Sequence, residues 1–399
     1  MVFGSMFGAG SRAFSYEIYV MVDGRWRLDK RLEGATSNTQ HANEQLEKSA
    51  IAQANALLNM GDFSAVKVLR SRERSDGFGT QSEIFNKTAS AKPKTMTTRP
   101  FKGPFPVCET IHDLARRPAI KGFSAVFREF LDKQNATAIE LLHSPQHQRK
   151  LNDMSSFMRA GIYALAGAQT QPGLPAQSER SKKLEALFDK IISHTRDAMA
   201  EKNLPAFENN DFSRLYERLS HKAQGDDLRF LFFFQTSKVT QTLSSYAGRL
   251  DIALTDMIER PMNGTNVLLD EIAAACLDST TLIQDLLGPR AGLSEALIAL
   301  ADLSTGKLEM PAKPDPILEK LNRLLGESRL PYSSETLWER ILSNLNSKAL
   351  LSKSEPKKEW QMTRSLSHKL LAVAPEAYKE AIDHAGRMRM ERVRNMMEG

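Results

Sequence analysis

Cys108 and His112 stand four residues apart, and so do His143 and His147, a spacing that sets two ligands on one side of a helix. Thiolate sulfur and imidazole nitrogen together suit zinc. A metal held by Cys108, His112, His143 and His147 would make the chain a metal-dependent helical hydrolase. Pro145 interrupts the second pair as the first residue of a helix capped by Ser144, which uncouples the direction of His143 from that of His147. The competing reading is surface histidines around a buried cysteine, because a chain with eight histidines produces such pairings by chance.

Other catalytic patterns are missing from the sequence. It holds no Walker-type glycine loop, strand-borne Gly-x-Gly-x-x-Gly, Gly-x-Ser-x-Gly elbow, His-Glu-x-x-His helix or kinase signature, and no cofactor is expected. His112-Asp113 is similar to the paired metal ligand of the wholly helical HD-type phosphohydrolases. That family's pattern also needs a histidine upstream in the same domain, and here only His41 precedes the pair, across a proline-rich stretch. Ser367-His368-Lys369-Leu370 is similar to the phospho-accepting box of sensor kinases, but no nucleotide-binding pattern follows it. Asp226-Asp227 and Asp270-Glu271 open helices, where carboxylates favour the positive end of the helix dipole.

The net charge of +6 is concentrated in two short places. Residues 87–102 carry five bases and no acid, among them Lys92, Lys94, Arg99 and Lys102. The last fifteen residues carry Arg387, Arg389, Arg392 and Arg394 against two glutamates, interleaved with methionines that suit a protein groove. The rest is nearly neutral, so a broad face for duplex DNA is not indicated. Phe230, Phe232, Phe233 and Phe234 belong to the longest apolar run, far too short to span a bilayer, and are a candidate dimerisation patch. Two cysteines and a start without a basic, then apolar, secretory pattern point to the cytoplasm.

These residues must be positioned by two kinds of structure. Tyr16, Ile18, Val20 and Val22 alternate before Asp23-Gly24, and a second alternating run, Arg25–Arg31, follows, which signals a hairpin. A helix over Glu44–Met60, stopped by Gly61, leads to strands over Phe63–Leu69 and Thr80–Phe85, giving a ββαββ module. One helix covers one sheet face, so the other shows either Tyr19 and Met21 or the opposite set with Trp26, and such a half-covered sheet commonly docks something, the competing expectation being that it packs on the rest of this chain. The expected order is a flexible tail (1–13), this α+β module (14–87), a basic Pro/Thr linker (88–106) and helical subdomains over 107–170, 178–303 and 315–399.

Within the large mainly α-helical region the spacing predicts one long helix over Asp226–Glu259. Its seam is Phe232, Thr236, Val239, Leu243, Tyr246, Leu250, Ala253 and Met257. A second seam, Leu268, Ile272, Ala275, Ser279, Leu282 and Leu286, follows Pro261-Met-Asn-Gly264, and the two together predict a long antiparallel coiled-coil hairpin. The expected function is a non-catalytic scaffold or adaptor that binds protein partners and could self-associate. The first alternative is a regulator bound to nucleic acid or an anionic membrane through the linker and terminal arginines; the second is the metal-dependent hydrolase.

Overall fold

The computed structural model describes the chain except residues 1–13, 23–24, 34–39, 60–62, 74–78, 89–95, 100, 102, 262, 280, 312, 353–357 and 399. The expected tail, the Asp23-Gly24 turn and the Gly61 cap fall outside the described residues. Two compact units are present, Met1–Met96 and Thr97–Gly399.

In the first unit β1 (Phe14–Val22), β2 (Arg25–Glu33), α1 (Gln40–Asn59), β3 (Ala65–Glu73) and β4 (Gly79–Thr88) follow one another. The strands lie in the order β2-β1-β3-β4 with every pair antiparallel. Tyr16, Ile18 and Val20 alternate to one face, where they meet Val66 and Val68 of β3 and Ala50, Ala54 and Leu58 of α1. Ala50 and Ala54 are one turn apart and fully buried, so the helix sits close to the sheet.

The register holds a feature that alternation alone does not reveal. Tyr19 pairs with Leu28 and Ile18 with Lys30, so Asp29 is an extra residue on β2, a bulge that switches the faces of the strand. Leu32 thereby packs beside Tyr16 in the core, while Trp26 opposes Met21 and Leu28 opposes Tyr19 on the other face. The two alternative sets are therefore one set.

Among its described residues the second unit is built of helices and loops, with no strand. Its first six helices are α2 (Ile111–Leu114), α3 (Arg117–Val126), α4 (Arg128–Gln134), α5 (Ala138–His143), α6 (Pro145–Asn152) and α7 (Ser155–Gly167). There follow α8 (Gln177–Ala200), α9 (Phe212–Ser220), α10 (Gly225–Thr240), α11 (Tyr246–Glu259), α12 (Asn263–Leu277) and α13 (Leu282–Leu287). The last are α14 (Leu293–Ser304), α15 (Pro316–Gly326), α16 (Pro331–Leu345), α17 (Glu359–Val373) and α18 (Glu376–Glu398). Among the described residues no helix is long and apolar enough to cross a membrane.

Two expectations are corrected here. The single helix over 226–259 is broken between α10 and α11, where Ser245 caps α11 by accepting a hydrogen bond from Gly248 N at 3.1 Å. The second seam also stops, at Leu277, and restarts as α13. What remains of the hairpin is α11 packed against α12. The stretch 88–106 is not a spacer throughout: Thr97 N donates to Glu129, Arg99 N to the Val126 carbonyl and Phe105 N to the Ala168 carbonyl, and Phe105 is buried. Close approach of α14 and α15 rests on Gly306, whose φ is +67° and which abuts the backbone of Gly326, leaving no room for a Cβ.

Candidate functional site

The open face of the first unit carries an aromatic and aliphatic patch. Leu28 is 52% exposed, and Tyr19, Met21 and Trp26 are half-buried beside it. Lys67 of β3 lays its ammonium 4.6 Å from the Trp26 ring centre and 5.5 Å from that of Tyr19, a cation–π arrangement that holds both rings. Farther along the same face Glu17 accepts hydrogen bonds from the Tyr19 hydroxyl at 3.0 Å and Gln81 Nε2 at 3.1 Å, with Arg31 Nε at 3.7 Å. Burial, then the hydrogen bond to Glu17, raises the Tyr19 hydroxyl above its ordinary titration range. Of the cations on the edge strand β2, Arg31 shares this face, where it also pairs with Glu33 at 3.4 Å, while Arg25, Arg27 and Lys30 oppose Val22, Val20 and Ile18 on the helix-covered side.

The four residues considered for a metal lie in the second unit and do not converge. Cys108 is buried, its thiol 3.6 Å from the Pro106 carbonyl oxygen and pushed up to about 12 by burial and the nearby Asp113 and Glu109. The thiolate that zinc requires is therefore suppressed. His143 is fully buried between Phe230 and Phe233, with ring centres 5.0 and 5.4 Å apart, and its Nδ1 lies 2.7 Å from the Ile139 carbonyl oxygen. His147 is buried with no hydrogen-bond partner on either ring nitrogen. His112 instead meets two residues outside that set, Asp227 at 3.4 Å and the His194 ring, whose centre is 6.4 Å from its own. Asp113 is occupied as the cap of α2, where it accepts hydrogen bonds from Thr110 N and Oγ1 at 2.9 Å. Among the described residues no group of three His, Cys, Asp or Glu side chains is arranged to hold a metal ion.

The buried histidines make stability depend on pH. Burial drives His143 down to about 3 and lowers His147 and His194 in the same direction. An unfolded chain takes up these protons near 6.5 while the folded chain refuses them, so stability is lost as pH falls from 6.5 towards 3. At pH 4 the His143 contribution is roughly 3 kcal/mol. Burial raises Asp270 to about 6 and shifts Asp278 upward, which acts in the opposite sense. The histidine contribution is therefore read as a difference: His143→Gln is expected to flatten the fall in urea midpoint between pH 6.5 and 4, and an unchanged slope contradicts the assignment.

The basic candidates are largely engaged. Arg389, 3% exposed, donates from Nε and Nη2 to Glu359 Oε1 at 3.0 and 2.7 Å. Its Nη1 also donates to the carbonyls of Leu345 and Ser347, and its Nη2 to that of Ala349. Arg389 is thus a core tie and not an anion contact. Arg387 pairs with Asp383 at 2.8 Å and Arg392 donates to the Asn346 carbonyl, while Arg394 and Arg99 are exposed. Lys92, Lys94 and Lys102 lie outside the described residues. Phe230, Phe232, Phe233 and Phe234 are at most 1% exposed, so they are core and present no dimerisation patch.

Ion pairs between helices were invisible in the sequence. Arg249 Nε meets Glu140 Oε1 at 2.8 Å with both side chains almost fully buried, and its Nη2 donates to the Asn135 carbonyl. Arg117 joins α3 to α16 through Glu335, Thr336 and the Tyr332 carbonyl. Nothing in local spacing pairs residues so far apart in the chain. No protein-family model, no curated protein and no solved structure matches this chain.

Proposed function

We propose that the chain is a non-catalytic adaptor whose first unit holds an acidic, partly apolar segment of a protein partner on its open sheet face. The observation that carries this is the patch of Tyr19, Met21, Trp26 and Leu28, an apolar anchor set beside Lys67, at an edge strand whose cations lie on both of its faces. Half-exposed Trp and Tyr side by side on a sheet are the composition of an interface hot spot, with Leu28 widening the apolar contact, and the Lys67 ammonium between the rings selects an acidic partner. A single-stranded nucleic acid would need free ring faces for base stacking and a surface clear of carboxylate. Lys67 lies over both rings, and Glu17 stands on the same face, which favours protein. Two buried free thiols suit a reducing compartment, in keeping with action in the cytoplasm.

The test uses the full chain and fluorescent peptides rich in Asp and Glu with one large apolar side chain. Saturable binding is expected, weakening on added salt, with Trp26→Ala raising Kd about tenfold or more. Peptide affinity unchanged by Trp26→Ala and Leu28→Asp, or tighter retention of oligodeoxythymidine than of any peptide, contradicts the proposal.

A further inference from the structure

A cavity of about 210 Å³ lies in the second unit between the chain that leads into α2, the loop after α7 and the first turns of α8. Val107, Leu174, Pro175 and Leu184 give it apolar walls. Gln169, 6% exposed, also lines it and is held in place: its Nε2 donates to the Pro106 carbonyl at 2.8 Å, and its own carbonyl accepts from Arg180 Nη1 at 2.7 Å. Its Oε1 accepts no hydrogen bond. Arg180 donates from Nη1 alone, so Nε, which is buried, and Nη2 form one guanidinium edge without a partner. Lys183, at the same cavity, is paired with Glu109. Arg180 makes no ion pair among the described residues, and Glu179, the other carboxylate there, is exposed.

We infer that this cavity binds a small organic acid, one carboxylate on a compact apolar body, with the carboxylate on Arg180 and the body against Val107, Leu174, Pro175 and Leu184. Two N–H donors on one guanidinium edge match a carboxylate, and a half-buried cation without a counter-charge gains most from acquiring one. Apolar walls with a few polar groups are the ordinary make-up of a small-molecule site. Volume sets the size of the body: an apolar cavity of roughly 150 Å³ takes a benzene ring, so this one holds a single ring or short branched chain with its carboxylate arm. A phosphate monoester carries roughly two charges and would call for a second unpaired cation, whereas Lys183 is taken by Glu109. Gln169 and Arg180 already hold one another, so the polar end is formed before the ligand arrives. The site belongs to the second unit and does not depend on the sheet face.

Calorimetric titration of the full chain with 3-phenylpropionate is expected to show one saturable site. The amide 3-phenylpropionamide, which keeps the ring and loses the charge, binds about tenfold or more weakly. Arg180→Gln lowers affinity for the acid by a similar factor, Glu179→Gln, which removes a repelling carboxylate, raises it, and Trp26→Ala on the sheet face leaves it unchanged. Circular dichroism reports whether each variant is folded, and if Arg180→Gln is not, the comparison of acid with amide on the native chain decides. Absence of a saturable site, equal affinity for acid and amide, full affinity in folded Arg180→Gln, or loss of binding in Trp26→Ala overturns the inference.

Discussion

Replacing Arg249 with methionine is expected to destabilise the helical unit by roughly 3 to 5 kcal/mol, because it strands the Glu140 carboxylate in the interior without its counter-charge. Glu140 cannot turn to solvent, since its other oxygen accepts from Thr137 N at 2.8 Å and caps α5. The loss is therefore mostly that of an uncompensated buried charge. Removing that charge as well, in Arg249→Met with Glu140→Gln, should recover a large part of the loss while the cap persists. Urea midpoints of the native chain and the two variants decide it. A single variant within 1 kcal/mol of the native chain, or no recovery in the double variant, would show that the pair does not hold α5 to α11 in this way.

Arg389→Ala should cost a similar amount, roughly 3 kcal/mol, but locally, at the end of the chain. One guanidinium joins α18 to Glu359 at the start of α17 and satisfies three carbonyls between Leu345 and Ala349. Without it those acceptors and Glu359 are left unpaired, although Glu359 still accepts from Leu351 N. Hydrogen exchange is expected to rise over 359–373 and 376–395, and Arg394→Ala, which removes an exposed charge, should leave it unchanged. Exchange unaltered by Arg389→Ala would restore the earlier reading of this arginine as a surface contact.

How much of this was legible in the sequence differs from element to element. Strand alternation at Tyr16, Ile18 and Val20 gave the first unit, because a period of two reports directly which face is buried. The helix opening at Pro145 starts where the sequence places it, because proline at the first helical position fixes the start chemically. The break before Tyr246 was missed because an apolar seam continues across it; Ser244-Ser245 was the available signal, a cap hidden inside a periodic run. The bulge at Asp29 left a trace as well: Trp26, Leu28 and Leu32 share one parity, yet an ordinary strand would then have left its core face charged. The candidate site was less legible than the fold. The phenylalanine run and Arg389 looked like surface chemistry because hydrophobicity and charge say what a residue prefers to touch but not whether the chain itself supplies the partner.

A protein partner seated on the open sheet face, as proposed, would lie against Leu28. A photoreactive amino acid in place of Leu28, introduced into the full chain in cells and activated by light, tests it most directly. The account predicts a discrete protein adduct at position 28 that disappears when Trp26→Ala is added, and none from the same probe at Gln53 of α1. Cross-linking to nucleic acid at position 28, or equal protein adducts from both positions, would contradict it.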